Sequence, residues 1–125
     1  NEICGVIDFY FSCNDILMYE IAIALNAWCF ENNKDFNPEK ATNLVLGYNH
    51  VRDIKHEEIL SLNILTQGAS LRFLLTRLYD WFSTPKNALV SKKDPMEYLN
   101  KLRFFKKNNI SIIIEKNTMN ETFKK

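Results

Sequence analysis

The sequence predicts a mainly α protein with one short β element at residues 3-9. Three observations carry this. Apolar residues recur at helical spacing over most of the chain. Two segments, Asn37-Pro38-Glu39-Lys40 and Asp94-Pro95-Met96-Glu97, set a capping side chain directly before a proline, which fits the first turn of a helix. The run Ile3-Cys4-Gly5-Val6-Ile7-Asp8-Phe9 is rich in β-branched and aromatic residues and is followed by the turn signal Asn14-Asp15.

The elements follow in order. Asn14 or Asp15 is a suitable N-cap for a helix over 16–30, apolar on nearly every face and therefore expected at the centre of the fold. Glu20 and Asn26 are its polar exceptions, and buried polar groups need partners. Asn32-Asn33-Lys34 ends it. The helix from Pro38 to about Tyr48 or Val51 sets Ala41, Leu44, Val45 and Tyr48 on one face. Lys55-His56-Glu57-Glu58 opens a third helix through Leu62. A long helical pattern then runs from Asn63 to Phe82, with Gly68 placed to allow close packing against the central helix, and Ser83-Thr84-Pro85 stops it. Residues 86–93 read as a polar loop. The helix opened by Asp94-Pro95 runs to about Lys107 and can turn Leu99, Leu102 and Phe105 to the core. Residues 1-107 form one unit. Residues 108-125 read as a divergent, mobile tail in which 110–114 is either a strand or a disordered apolar stretch.

The 125 residues suffice for one core, and 46% hydrophobic content argues for packing rather than disorder. A formal net charge of +1 gives no basis for binding nucleic acid or an anionic membrane surface. The longest apolar stretch is too short to span a bilayer, and no signal-peptide pattern is seen. Cys4, Cys13 and Cys29 form no C-x-x-C pair and read as reduced, buried thiols of a cytoplasmic protein. His50 and His56 have no companion at metal-ligand spacing.

Asp8 is the informative residue. A carboxylate at the end of an apolar strand is costly to bury unless paired or metal-bound, so Asp8 either holds a cation near a phosphate or simply starts a turn. Asp15 has the plainer reading of a helix N-cap.

Gly5-Val6-Ile7-Asp8-Phe9, Asn14-Asp15 and Tyr19-Glu20-Ile21-Ala22 together resemble a segment of the aminoglycoside phosphotransferase and choline kinase superfamily. The stretches Leu25-Asn26-Ala27-Trp28-Cys29-Phe30, Gly68-Ala69-Ser70-Leu71-Arg72-Phe73 and Lys93-Asp94-Pro95-Met96-Glu97-Tyr98 narrow the resemblance to the bacterial homoserine kinase family, over roughly residues 3 to 106. The resemblance implies the helical C-terminal lobe of a protein-kinase-like phosphotransferase, part of a longer or split protein. It implies ATP and Mg2+ as cofactors and L-homoserine as the substrate of the complete enzyme, a step of threonine biosynthesis. It makes Asp8 the metal ligand, with Asp15 and Glu20 supporting the catalytic loop. Glu20 stands where the superfamily usually has an aspartate. The catalytic base and phosphate cradle would lie upstream of Asn1, so this chain alone would be inactive and a separate N-terminal half could be its partner. Homoserine carries a carboxylate and an amine. Arg72 or Arg77, with Asp80 and the ring of Trp28, would therefore be substrate-binding. An ion pair of Arg77 with Asp80 on a solvated helix surface, and core packing for Trp28, remain open. A choline- or aminoglycoside-type kinase is the alternative within the superfamily. A non-catalytic relic or helical interaction module is the alternative outside it.

Overall fold

The computed structural model describes residues 2–9, 12–85 and 87–118. Five helices and one small hairpin follow in the order α1 (Leu17–Trp28), β1 (Phe30–Glu31), β2 (Asp35–Phe36), α2 (Pro38–Val51), α3 (His56–Ser83), α4 (Met96–Lys107) and α5 (Ile110–Asn117). The mainly α expectation holds. The strand expected at 3-9 does not form. Residues 2–9 are exposed and have no regular secondary structure. A strand exists only by pairing, and among the described residues no second strand lies beside this run. Cys4 and Cys13 are accordingly exposed, contrary to expectation, and Cys29 alone is buried. Burial pushes the Cys29 thiol up to about 11, which keeps it protonated and unreactive.

The central helix is confirmed as α1, which buries Met18, Ile21, Ala22, Leu25 and Asn26 against α3. It starts one residue later than the capping signal suggested. Ile16 is the N-cap, and the Asp15 carboxylate accepts the Ile16 N–H at 2.7 Å instead of capping the first turn. The chain then reverses in a hairpin with register Phe30↔Phe36 and Glu31↔Asp35. Its loop places Asn32 and Asn33 at φ 48 and 61, a left-handed conformation that asparagine tolerates well. Helix α2 begins as expected, with the Asn37 side chain accepting from Lys40 N at 2.9 Å.

The two helices expected over 55–82 are one, the 28-residue α3. Glu58 reaches back to the Lys55 N–H at 2.9 Å and fixes its start. Gly68 interrupts nothing. It does not face α1 either, since Thr66 and Ser70 meet Asn26 of that helix and Gly68 is exposed. Along α4, Tyr98, Lys101 and Phe105 are buried, while Leu99 and Leu102 are only half-buried. Phe105 joins Phe30, Phe36 and Phe104 in an aromatic cluster with ring centroids 4.8 to 5.9 Å apart.

Residues 110–117, expected in a mobile tail, form α5. Asn109 caps it, Ile110 and Ile114 enter the core with no exposure, and Ser111 Oγ donates to Ile59 O at 2.8 Å. Residues 119–125 of that tail lie outside the described residues. His56 is exposed at the start of α3, with its Nδ1 3.4 Å from a Glu115 carboxylate oxygen of α5.

Phe105→Ala, which empties the centre of the aromatic cluster, is expected to cost about 3–5 kcal/mol of unfolding free energy, measured by urea titration with circular dichroism.

Candidate functional site

The candidate residues from the sequence fall into two groups. Asp8, Asp15 and Glu20 lie on the N-terminal segment and the first turn of α1, and all three are exposed. Asp8 has φ 72, a left-handed conformation that aspartate, like asparagine, adopts more readily than most residues. Its neighbours on both sides are bulky and apolar: Ile7 is 88% exposed and Phe9 is 67% exposed. Glu20 was expected to need buried partners and does not, because it points away from the core.

Trp28, Arg72 and Asp80 are exposed on α1 and α3. Trp28 does not pack into the core and lines a shallow surface depression with Ala27, Cys29, Lys40, Asn43 and Leu44. The Arg72 guanidinium lies over the Phe73 ring at 5.1 Å. Arg77 is different. It pairs with Glu97 at 2.6 Å, not with Asp80, and donates to the Asp94 carbonyl at 2.9 Å. It also lies over the Tyr98 ring at 4.5 Å. The Arg77–Asp80 surface pair that the sequence left open is thus replaced by one reaching across to the start of α4.

Arg77 belongs to a buried polar network that was only half legible in the sequence. Lys101 is 1% exposed. Its ammonium donates to Glu97 at 2.6 Å and to the Asn26 carbonyl at 2.9 Å, and it lies 4.7 Å from the Tyr98 ring centroid. The Asn26 amide donates to Ala22 O and Thr66 O, and its oxygen accepts from Ser70 Oγ at 2.7 Å. One asparagine therefore satisfies donors and acceptors on α1, α3 and α4 together. Burial pushes the Glu97 carboxyl up, but hydrogen bonds from Lys101 and Arg77 outweigh this and hold it below the usual carboxylate range. Asn26 stands out in the sequence as a polar residue on an apolar helix. The i, i+4 spacing of Glu97 and Lys101 is the signal that marks the rest.

Among the described residues no three of His, Cys, Asp and Glu converge to hold a metal ion unaided. No helix among them is long and apolar enough to cross a membrane.

Comparison with known proteins sets this geometry in context. Residues 1–52 match the phosphotransferase enzyme family named APH. The chain is 55% identical over 104 residues to a homoserine kinase of Rhizobium etli (strain CIAT 652), a match covering 83% of this chain and 32% of that protein. It is 56% identical over 104 residues to the homoserine kinase of Sinorhizobium fredii (strain NBRC 101917 / NGR234), again with 83% and 32% coverage. The homoserine kinase of Agrobacterium fabrum (strain C58 / ATCC 33970) matches at 55% over the same length and shares. The resemblance to homoserine kinases seen in the sequence motifs is borne out. The chain spans about a third of the length of the curated relatives it matches.

Removing one partner of the buried network leaves a charge stranded. Glu97→Gln is expected to destabilise the fold by about 3 kcal/mol in urea titrations at neutral pH. Because the folded-state pKa of Glu97 is depressed, its contribution is present above the unfolded carboxylate value of about 4.3 and is lost as pH falls through the lower folded value. The urea midpoint should therefore drop more steeply between about pH 5 and pH 3 in the parent chain than in Glu97→Gln.

Proposed function

We propose that this chain supplies one part of an ATP-dependent small-molecule kinase resembling homoserine kinase, which moves the γ-phosphoryl group of ATP to the side-chain hydroxyl of L-homoserine. The observation that carries the reading is the 55% identity to a homoserine kinase over 104 residues. Local geometry supports it at Asp8. A carboxylate held in a left-handed backbone conformation on an exposed segment makes no hydrogen bond or ion pair among the described residues.

The donor chemistry fits Mg2+. A lone carboxylate is a hard oxygen ligand, and Mg2+ is commonly held by one or two carboxylates together with substrate phosphates rather than by a full protein cage. Asp8 would hold the ion, whose bound charge would offset that of the nucleotide phosphates. Asp15 and Glu20 would sit behind the catalytic loop as its support. For the amino acid, Arg72 is the better placed arginine. It is exposed, whereas both Glu97 and the Asp94 carbonyl already engage Arg77. A bidentate pairing of Arg72 with the homoserine carboxylate would orient the acceptor. This requirement for a carboxylate separates the reading from a choline- or aminoglycoside-type kinase. The base that accepts the hydroxyl proton and the cradle for the phosphates are not assigned to any residue of this chain, so the chain alone should not turn over.

A second reading, a non-catalytic helical interaction module, is favoured by one observation: Ile3, Val6, Ile7 and Phe9 stand between 67% and 92% exposed on an unpaired segment.

The deciding experiment exchanges the aligned 104-residue segment of the R. etli homoserine kinase for that of this chain and measures phosphotransfer from Mg-ATP to L-homoserine. The hybrid should be active. Asp8→Asn in it should lower kcat by about 100-fold or more with its fold unchanged, and Arg72→Ala should raise KM for homoserine more than it lowers kcat. A folded hybrid with no activity would favour the interaction module.

A further inference from the structure

Helix α3 is apolar on two opposite faces. One face carries Ile59, Leu62, Thr66 and Ala69 into the core. The other carries Leu60, Ile64, Leu71, Leu75, Tyr79 and Phe82, which stand between 46% and 81% exposed. Successive spacings of 4, 7, 4, 4 and 3 keep these six on one straight stripe, within roughly 100° of arc along six turns. Every residue between Ile59 and Arg72 is uncharged, and Arg72, Arg77 and Asp80 all fall off this arc. A helix apolar on both sides belongs in an interior, and an apolar patch of this length on a surface marks a contact.

Gly68 lies in the same stripe, between Ile64 and Leu71. A Cβ added there would meet nothing within 4 Å, and its φ is not positive. Nothing in the fold of this chain requires a glycine at this position, and glycine weakens a helix relative to alanine. Gly47 of α2 has the same freedom, but Gly68 sits at the middle of the uncovered apolar stripe, where it leaves room for close approach of another backbone.

We infer that the Leu60–Phe82 stripe of α3 is the surface on which the remainder of the kinase docks, with its backbone approaching at Gly68. The inference rests on the reading that the chain is part of such a kinase. The occupant is the part of a homoserine kinase that the match leaves out, about two thirds of each relative's length. The absence of charge from the stripe calls for an equally apolar, uncharged partner surface, of the kind that the interior of one longer polypeptide provides.

The test compares the same substitutions in the 125-residue chain and in the full-length hybrid described above, by thermal unfolding. Leu75→Asp should shift the midpoint of the chain alone by no more than about 1 °C, since the side chain is exposed there. It should lower the midpoint of the hybrid by about 5 °C or more, because a carboxylate is then buried. Gly68→Ala should raise the midpoint of the chain alone and lower that of the hybrid, a reversal of sign that a mild substitution reads without risk to folding. A hybrid unmoved by Leu75→Asp and raised by Gly68→Ala would overturn the inference. So would a dimer of the chain in sedimentation equilibrium that Leu75→Asp dissolves, since a second copy would then own the stripe. A hybrid that shows the predicted shifts yet phosphorylates nothing would retire the kinase reading and leave the docking surface standing.

Discussion

The structure depends on the buried ammonium of Lys101. An unpaired charge with 1% exposure would unfold so small a domain, and each contact this one makes fixes an element. Glu97 neutralises it one turn back on α4, the Asn26 carbonyl receives it from α1, and the rings of Phe30 and Tyr98 lie 5.2 and 4.7 Å away. Arg77 of α3 closes the circuit by bonding the second oxygen of Glu97. Directional bonds of this kind specify one arrangement of α1, α3 and α4 in a way that the surrounding leucines and isoleucines do not. Whether the network adds stability over an apolar substitute is a separate matter, because the desolvation of such a cluster offsets much of its attraction.

That arrangement has consequences for the candidate site. It consumes Arg77, which the sequence offered as a ligand for a substrate carboxylate, and leaves Arg72 exposed on the same helix. It also orients α3 so that one apolar face enters the core and the opposite one stays open. The segment bearing Asp8 takes no part in the network. Its conformation is local, and its carboxylate is exposed.

Much of the helical architecture was legible in the sequence. The Asn37-Pro38 start, the apolar 16–30 run and the stop at Ser83-Thr84-Pro85 each act within one or two turns, so local chemistry determines them. What could not be read depended on partners distant in sequence. The β-branched run at 3-9 has the composition of a strand but no neighbour among the described residues. Ile110 to Ile114 looks like a strand, yet Asn109 caps a helix there, and its isoleucines fit against α2 and α3. The same holds in the site. Asn26 announced itself as a polar residue needing partners, but Thr66, Ser70 and Lys101 lie 40, 44 and 75 residues away. Arg77 and Asp80 share a helix face by spacing, while Glu97, 20 residues on, reaches Arg77 by folding. The family resemblance crossed this gap because separated motifs occur in the right order, and the identity over 104 residues agrees with it.

Native-state hydrogen exchange on the 125-residue chain tests the central claim, that the Lys101 network locks α1, α3 and α4 into one cooperative unit. Amides of Leu25, Asn26, Ser70, Lys101 and Arg103 should exchange only through global unfolding, with one common free energy and one common urea dependence, while those of residues 2–9 exchange without protection. Exchange from α4 by a separate opening of lower free energy, leaving α1 and α3 protected, would contradict it.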